Sequence, residues 1–85
     1  MTEQELAEIE KRWRNARGGP WKSFVEGRDH TSGSSFIKVG DGATRLDDIE
    51  LTGATVEDQD FIAAAKQDIP ALIEEIRQLK RLLEG

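Results

Sequence analysis

The single histidine of the chain, His30, lies in the segment GRDHTSG and is the first residue to consider for catalysis. Asp29 precedes it, and a carboxylate beside an imidazole is the pairing that orients a general base. Adjacent loop residues rarely direct their side chains at one another, so an exposed loop histidine is the simpler interpretation. Carboxylates at 47–50 could join His30 at a metal, but nothing fixes their spacing. With no P-loop and no GxGxxG motif, we expect no catalytic residue, no metal and no cofactor.

The sequence contains more residues suited to ligand binding than residues suited to catalysis. A nucleotide needs a flat aromatic face for its base and cations for its phosphates. Trp21 offers such a face between two cationic residues, Arg17 and Arg28. The predicted ligand-binding residues are Trp21, Arg17, Arg28, His30, Arg45 and Lys66. Further hydroxyl donors are Thr31, Ser32, Ser34 and Ser35. The alternative for Trp21 is core packing, and for each cation it is a solvated surface.

The charge distribution is informative beyond the net charge of −5. An acidic balance argues against a DNA or RNA partner. From Lys11 to Arg28 there are six basic residues and one acid, whereas Asp41 to Asp60 holds seven acids and one base. Two interpretations stay open: the two sections pair within or between subunits, or the basic section faces an anionic ligand.

The chain contains no cysteine, which fits a reducing cytoplasm. No apolar run approaches the roughly 20 residues that a membrane span requires, and the start MTEQELAEIE is too acidic for a signal peptide. We therefore expect a cytoplasmic protein without a membrane partner. Its 85 residues predict one domain, 1–85.

Residue periodicity predicts an α+β fold that begins with a helix over residues 1–17. The segment TEQE is a capping box in which Thr2 caps the helix and Glu5 reaches back. An apolar stripe follows at helical spacing: Leu6, Ile9, Trp13 and Ala16. Gly18 or Gly19 is expected to end the helix in the left-handed conformation.

Residues 21–54 predict a small antiparallel sheet, and residues 55–84 predict a kinked pair of helices. Short aromatic and β-branched segments separated by glycine-rich turns indicate two or three strands over 21–54. Thr55 is the expected N-cap of the first C-terminal helix. Asp68 would cap the second, with Pro70 in its first turn, where proline is tolerated.

The two C-terminal helices each have a predicted apolar side. In the first, the expected buried residues are Phe61, Ile62 and Ala65. In the second, a short heptad seam runs through Ile69, Leu72, Ile76, Leu79 and Leu83. Two heptads are too short for an isolated coiled coil, so the seam must pack on the first helix, on the sheet or on another subunit. We expect a homo-oligomer.

Two segments resemble one known family of small phage, prophage and actinobacterial proteins. NARGGPW at 15–21 is similar to that family's NA-x-x-GPW element. DQDFIAAAKQDIPALIEEIRQLKRLL at 58–83 resembles its DAxFIAxARxDxPxLLxExxxL ending. The chain departs from the family pattern at Gly18, where proline is frequent, and at Lys66, where arginine is. The function of the family is unknown, so the resemblance implies a setting: accessory genes of phages that act inside a bacterium.

That setting suggests a leading hypothesis by analogy. Some small phage accessory proteins sequester a cyclic nucleotide or cyclic ADP-ribose signal of host immunity without cleaving it. We expect a non-enzymatic protein of this kind, with a small anionic nucleotide as its ligand, in the cytoplasm of an infected bacterial host. The alternative is a module that inhibits a host protein through its last helix. A nucleotide-cleaving enzyme with His30 as the base is the third hypothesis.

Overall fold

The structure, a computed structural model, describes residues 1–31 and 33–84. Ser32, a predicted hydroxyl donor, lies outside these residues. Two helices and three strands follow one another as α1 (Glu3–Asn15), β1 (Trp21–Phe24), β2 (Phe36–Val39), β3 (Leu46–Ile49) and α2 (Val56–Glu84). The predicted α+β fold is confirmed, with one correction. The pair of C-terminal helices is a single helix of 29 residues.

The three strands form an antiparallel sheet in the order β1-β2-β3. Trp21 lies opposite Val39 in the β1–β2 pair. Side chains alternate between the two faces of a strand, and Ile37 and Val39 of β2 point into the core, where both are fully buried. Helix α2 covers this buried face, and α1 packs against α2.

Helix α1 begins where the capping box predicts. The Glu5 amide donates to the Thr2 hydroxyl at 3.1 Å, and the Thr2 amide donates to the Glu5 carboxylate at 2.8 Å. The predicted left-handed glycine at its end is wrong, since neither Gly18 nor Gly19 has a positive φ. The chain leaves the helix through an extended Ala16. No left-handed residue is needed there, because the Lys66 side chain of α2 donates to the Trp13 carbonyl at the end of α1.

Helix α2 continues through Pro70 without a break. A proline inside a helix removes the hydrogen bond to the carbonyl four residues earlier, here that of Lys66. The indole Nε1–H of Trp13 donates to this carbonyl oxygen at 2.8 Å. A group from α1 thus replaces the missing donor. The predicted helix start with a cap at Asp68 is wrong, since Asp68 lies inside α2.

The buried side of α2 differs from the predicted one. Ala63 and Ile73 face the core together with two polar residues, Gln59 and Lys66. The Gln59 amide nitrogen donates to the Ser23 hydroxyl at 2.8 Å and to two strand carbonyls at 3.2 Å, which joins α2 to β1 and β2. Phe61, predicted to be buried, is 74% exposed. The polar contacts of Gln59 and Lys66 select the side of α2 that faces the core, and Phe61 lies on another side.

No helix in the described part of the chain is both long and apolar enough to span a membrane.

Candidate functional site

An apolar groove of about 360 Å³ lies between α1, the start of β1 and the first half of α2. We call it the tryptophan groove, because the rings of Trp13 and Trp21 form part of its wall. The residues that line it are Ile9, Arg12, Trp13, Ala16, Trp21, Phe61, Ile62, Ala65, Lys66 and Ile69. All are aliphatic, aromatic or cationic. The groove therefore offers flat faces and positive charge, with no carboxylate in its lining.

Lys66 lies between the two indole rings and is only 7% exposed. Its ammonium nitrogen is 4.5 Å from the centroid of the Trp13 ring and 5.4 Å from that of Trp21, within the range of cation–π attraction. It donates to the Trp13 carbonyl at 2.9 Å, one of the carbonyls at the end of α1 that lack a helical donor. Positive charge is favourable at that end of a helix.

The burial of Lys66 has an electrostatic consequence. Removal from water lowers the pKa of the Lys66 ammonium below its ordinary value. No carboxylate of the described residues forms an ion pair with it. An ammonium has three donors, and one of them serves the Trp13 carbonyl. The groove therefore contains a cation that two aromatic faces and one helix-end carbonyl stabilise, with no carboxylate partner among the described residues.

Trp21 is held in place through its backbone. The side-chain amide of Gln67 accepts from the Trp21 N–H at 2.9 Å and donates to the Trp21 carbonyl at 3.0 Å. This two-way contact attaches the exposed edge of β1 to α2. The indole Nε1–H of Trp21, in contrast, is buried and has no hydrogen-bond partner among the described residues. Trp21 thus has a fixed position and an unused donor, an uncommon combination for a buried polar group.

Arg17 and Arg45, two of the predicted ligand-binding residues, lie together at a different place. They line an open depression with Leu46, Asp47 and Asp48. The Arg17 guanidinium donates to the Asp47 carbonyl at 2.8 Å, and that of Arg45 forms an ion pair with Asp48. Both cations therefore already have oxygen partners, and two aspartates stand beside them. This depression is a poor site for an anion.

Arg28 and His30 lie at a third place, in the turn after β1. Arg28 forms a two-pronged ion pair with Asp60 of α2, with N–O distances of 2.8 and 3.0 Å. The His30 ring packs at 5.5 Å from the ring of Phe36. The Arg28–Asp60 pair joins the basic and acidic sections of the sequence, which favours internal pairing over a ligand at this point. Of the six predicted residues, the structure thus places Trp21 and Lys66 in the tryptophan groove and the other four at two other places.

The Arg28–Asp60 pair leads to an expected pH dependence. Hydrogen bonding to Arg28 lowers the pKa of Asp60 from 3.8 to about 2. Because the folded-state pKa lies below the ordinary one, the pair stabilises the fold above the ordinary pKa, and this contribution is lost as pH falls toward 2. We expect Asp60→Asn to flatten the loss of stability between about pH 5 and pH 2, measured by urea unfolding at each pH. Asp68→Asn, at an exposed carboxylate of α2, should leave that profile unchanged.

Three aromatic or cationic residues of the groove were missed as ligand-binding candidates. Trp13 is predicted as part of the apolar stripe of the first helix and Phe61 as buried, and Arg12 is not among the candidates. Trp13 belongs to α1 and Trp21 to β1. Only the packing of α1 on α2 brings their two rings to the same groove. The signal available was the presence of both tryptophans within the basic section.

Comparisons with protein-family models, with curated protein sequences and with solved structures found no match to this chain. The chemistry of the groove can be described from its own residues. A flat ring system could stack on an indole or on Phe61, whose ring is exposed. An anionic group on the same molecule would lie near Lys66 and Arg12. The groove therefore suits a ligand that combines an aromatic ring with negative charge.

Proposed function

We propose that the protein binds and sequesters a small anionic signal that carries a flat ring, most directly a cyclic nucleotide, in the tryptophan groove. The observation that carries this proposal is the Lys66 ammonium, which lies between two indole rings without a carboxylate partner. A phosphate would supply the missing counter-charge through a charge-assisted hydrogen bond. The nucleobase would stack on the aromatic faces beside it.

Binding without cleavage follows from the chemistry of the groove. The described residues that line it include no serine, threonine, histidine or carboxylate. These are the usual side-chain nucleophiles and general bases for cleavage of a phosphodiester, and none of them stands beside the place proposed for the phosphate. The ligand would leave unchanged. Resemblance to small phage proteins supports the same role, sequestration of an immune signal in the cytoplasm of a bacterial host.

Isothermal titration calorimetry tests this proposal. The protein is titrated with cyclic di- and trinucleotides and with cyclic ADP-riboses, and at least one should bind with measurable heat. We expect Lys66→Met, which keeps most of the side-chain volume, to weaken that binding roughly tenfold or more. Lys22→Met makes the same exchange on the opposite face of the sheet and should leave binding unchanged. No heat with any compound, or equal binding by both variants, would contradict the proposal.

A second candidate function is a helix-mediated module that inhibits a host protein. It is favoured by the exposed leucines along α2, which no part of the described chain covers. In this case Leu79→Glu should abolish capture of the host protein, whereas Lys66→Met should not affect it. Retention of the partner by Leu79→Glu would exclude this use of α2.

A further inference from the structure

The outer side of α2 carries an apolar stripe that the fold leaves uncovered. Leu72 is 57% exposed, Leu79 is 51% exposed and Leu83 is 88% exposed. Ile69, before Leu72, and Ile76, between Leu72 and Leu79, are half-buried. Helix α1 and the sheet lie on another side of α2, against Ala63, Lys66 and Ile73. The leucines of the heptad seam therefore pack neither on α1 nor on the sheet. Of the three predicted surfaces, another subunit is left.

The order of side chains in this stripe matches one kind of partner. In heptad notation Ile69 and Ile76 occupy a positions, Leu72 and Leu79 occupy d positions, and Leu83 is again at a. Isoleucine at a with leucine at d favours a pair of parallel helices, because the β-branched side chain fits the packing geometry at a in a parallel dimer. The stripe is thus suited to an identical helix that runs in the same direction.

Charged residues beside the stripe favour the same orientation. Glu75 is at a g position and Lys80 is at the following e position. In a parallel pair, g of one helix faces the next e of the other, so Glu75 of each copy would meet Lys80 of the second copy. Neither residue forms an ion pair within the described residues. An antiparallel pair would instead bring the two Glu75 side chains together.

We propose that a second copy of this chain packs on α2 from Ile69 to Leu83, in parallel, to form a two-fold dimer. The seam is short, but α2 is already held as a helix by α1 and the sheet, so association does not have to order it. The two-fold axis runs parallel to α2, between the two copies of this helix. Both tryptophan grooves would therefore open at the same end of the dimer. Ile69 belongs to both surfaces, because it lines the tryptophan groove and begins the seam, so the dimer contact borders each groove.

Analytical ultracentrifugation of the full chain tests whether the dimer forms. We expect a monomer–dimer equilibrium, with the dimer dominant at high protein concentration. Leu79→Glu should give a monomer over the whole range, whereas Leu46→Glu, at an exposed leucine of the sheet, should dimerise like the unmodified chain. A chain that is monomeric at every concentration would overturn the proposal. So would a Leu79→Glu variant that still dimerises.

Single cysteines test the orientation, because the natural chain has none. In a parallel dimer, identical positions of the two seams meet, so Leu83→Cys should form an intermolecular disulfide under mild oxidation. Gln78→Cys, at a c position that points away from the seam, should not. Glu75→Lys and Lys80→Glu should each weaken the dimer, and the double variant should restore it. A dimer in which Leu83→Cys fails to cross-link would overturn the parallel arrangement.

Discussion

Replacement of Gly40 by alanine is expected to destabilise this protein severely. Gly40 follows β2 and has a φ of +76°, a left-handed conformation that costs an L-residue about 1–2 kcal/mol. A Cβ built on it would overlap the carbonyl oxygen of Thr44, in the turn before β3. Displacing packed backbone adds about 1–3 kcal/mol, so the total loss is roughly 2–5 kcal/mol.

Gly53→Ala is the matched control for this prediction. Gly53 also has a positive φ, +81°, but a Cβ there would meet no atom within 4 Å. It should therefore lose only the conformational part. Thermal unfolding measures both, because 1 kcal/mol shifts the midpoint of a domain of this size by about 4–8 °C. Equal losses in the two variants would show that the contact with Thr44 has no energetic weight.

The second large effect is expected at Trp13, whose indole replaces the donor that Pro70 lacks. Trp13→Phe keeps the aromatic packing but removes the Nε1–H, which leaves the Lys66 carbonyl without its hydrogen bond. An unpaired polar group in a partly buried position costs about 1–3 kcal/mol. We expect a loss of this size in the free energy of unfolding, measured in urea by circular dichroism.

A double-mutant cycle separates this contact from other roles of Trp13. In a Pro70→Ala background, the N–H of the new alanine can donate to the Lys66 carbonyl as in an ordinary helix. The cost of Trp13→Phe should then fall markedly, because the carbonyl no longer depends on the indole. The same cost in both backgrounds would mean that the indole is not what allows proline in the middle of α2.

The parts of the fold that depend on neighbouring residues could be predicted from the sequence. The capping box at Thr2 and the start of α2 after Thr55 involve contacts only three residues apart. Short β-forming segments between glycine turns predict two or three strands, and the structure has three. Local hydrogen bonding determines the two helix caps, and the local sequence contains that information.

The parts that could not be predicted depend on contacts between distant elements. A proline in a helical pattern normally indicates a break, and nothing near Pro70 indicates that an indole 57 positions earlier stands in for its missing N–H. The buried side of α2 was misplaced for the same kind of reason. Gln59 and Lys66 appear as surface residues in a pattern of hydrophobicity, yet both are buried because they bind backbone carbonyls of other elements.

Prediction of the candidate site from the sequence has the same limit. Trp21 and Lys66 were both selected for their chemistry, and the structure places them side by side. Arg28 and Arg45 were selected on the same grounds, yet each pairs with an aspartate, and Arg17 lies beside Asp47 and Asp48. Charge and aromatic character indicate which residues could bind an anion. Whether such a cation remains without a carboxylate is decided by tertiary packing.

The central claim is that a nucleotide binds in the tryptophan groove, and the two indole N–H signals in a nitrogen–proton NMR spectrum test it most directly. The chain has only two tryptophans, and both line the groove. With a cyclic nucleotide that gives heat in calorimetry, the expected result is a shift of the Trp21 signal, whose Nε1–H has no partner among the described residues, with a smaller shift for Trp13. Binding heat with both indole signals unmoved would contradict the claim, because the ligand would then bind elsewhere.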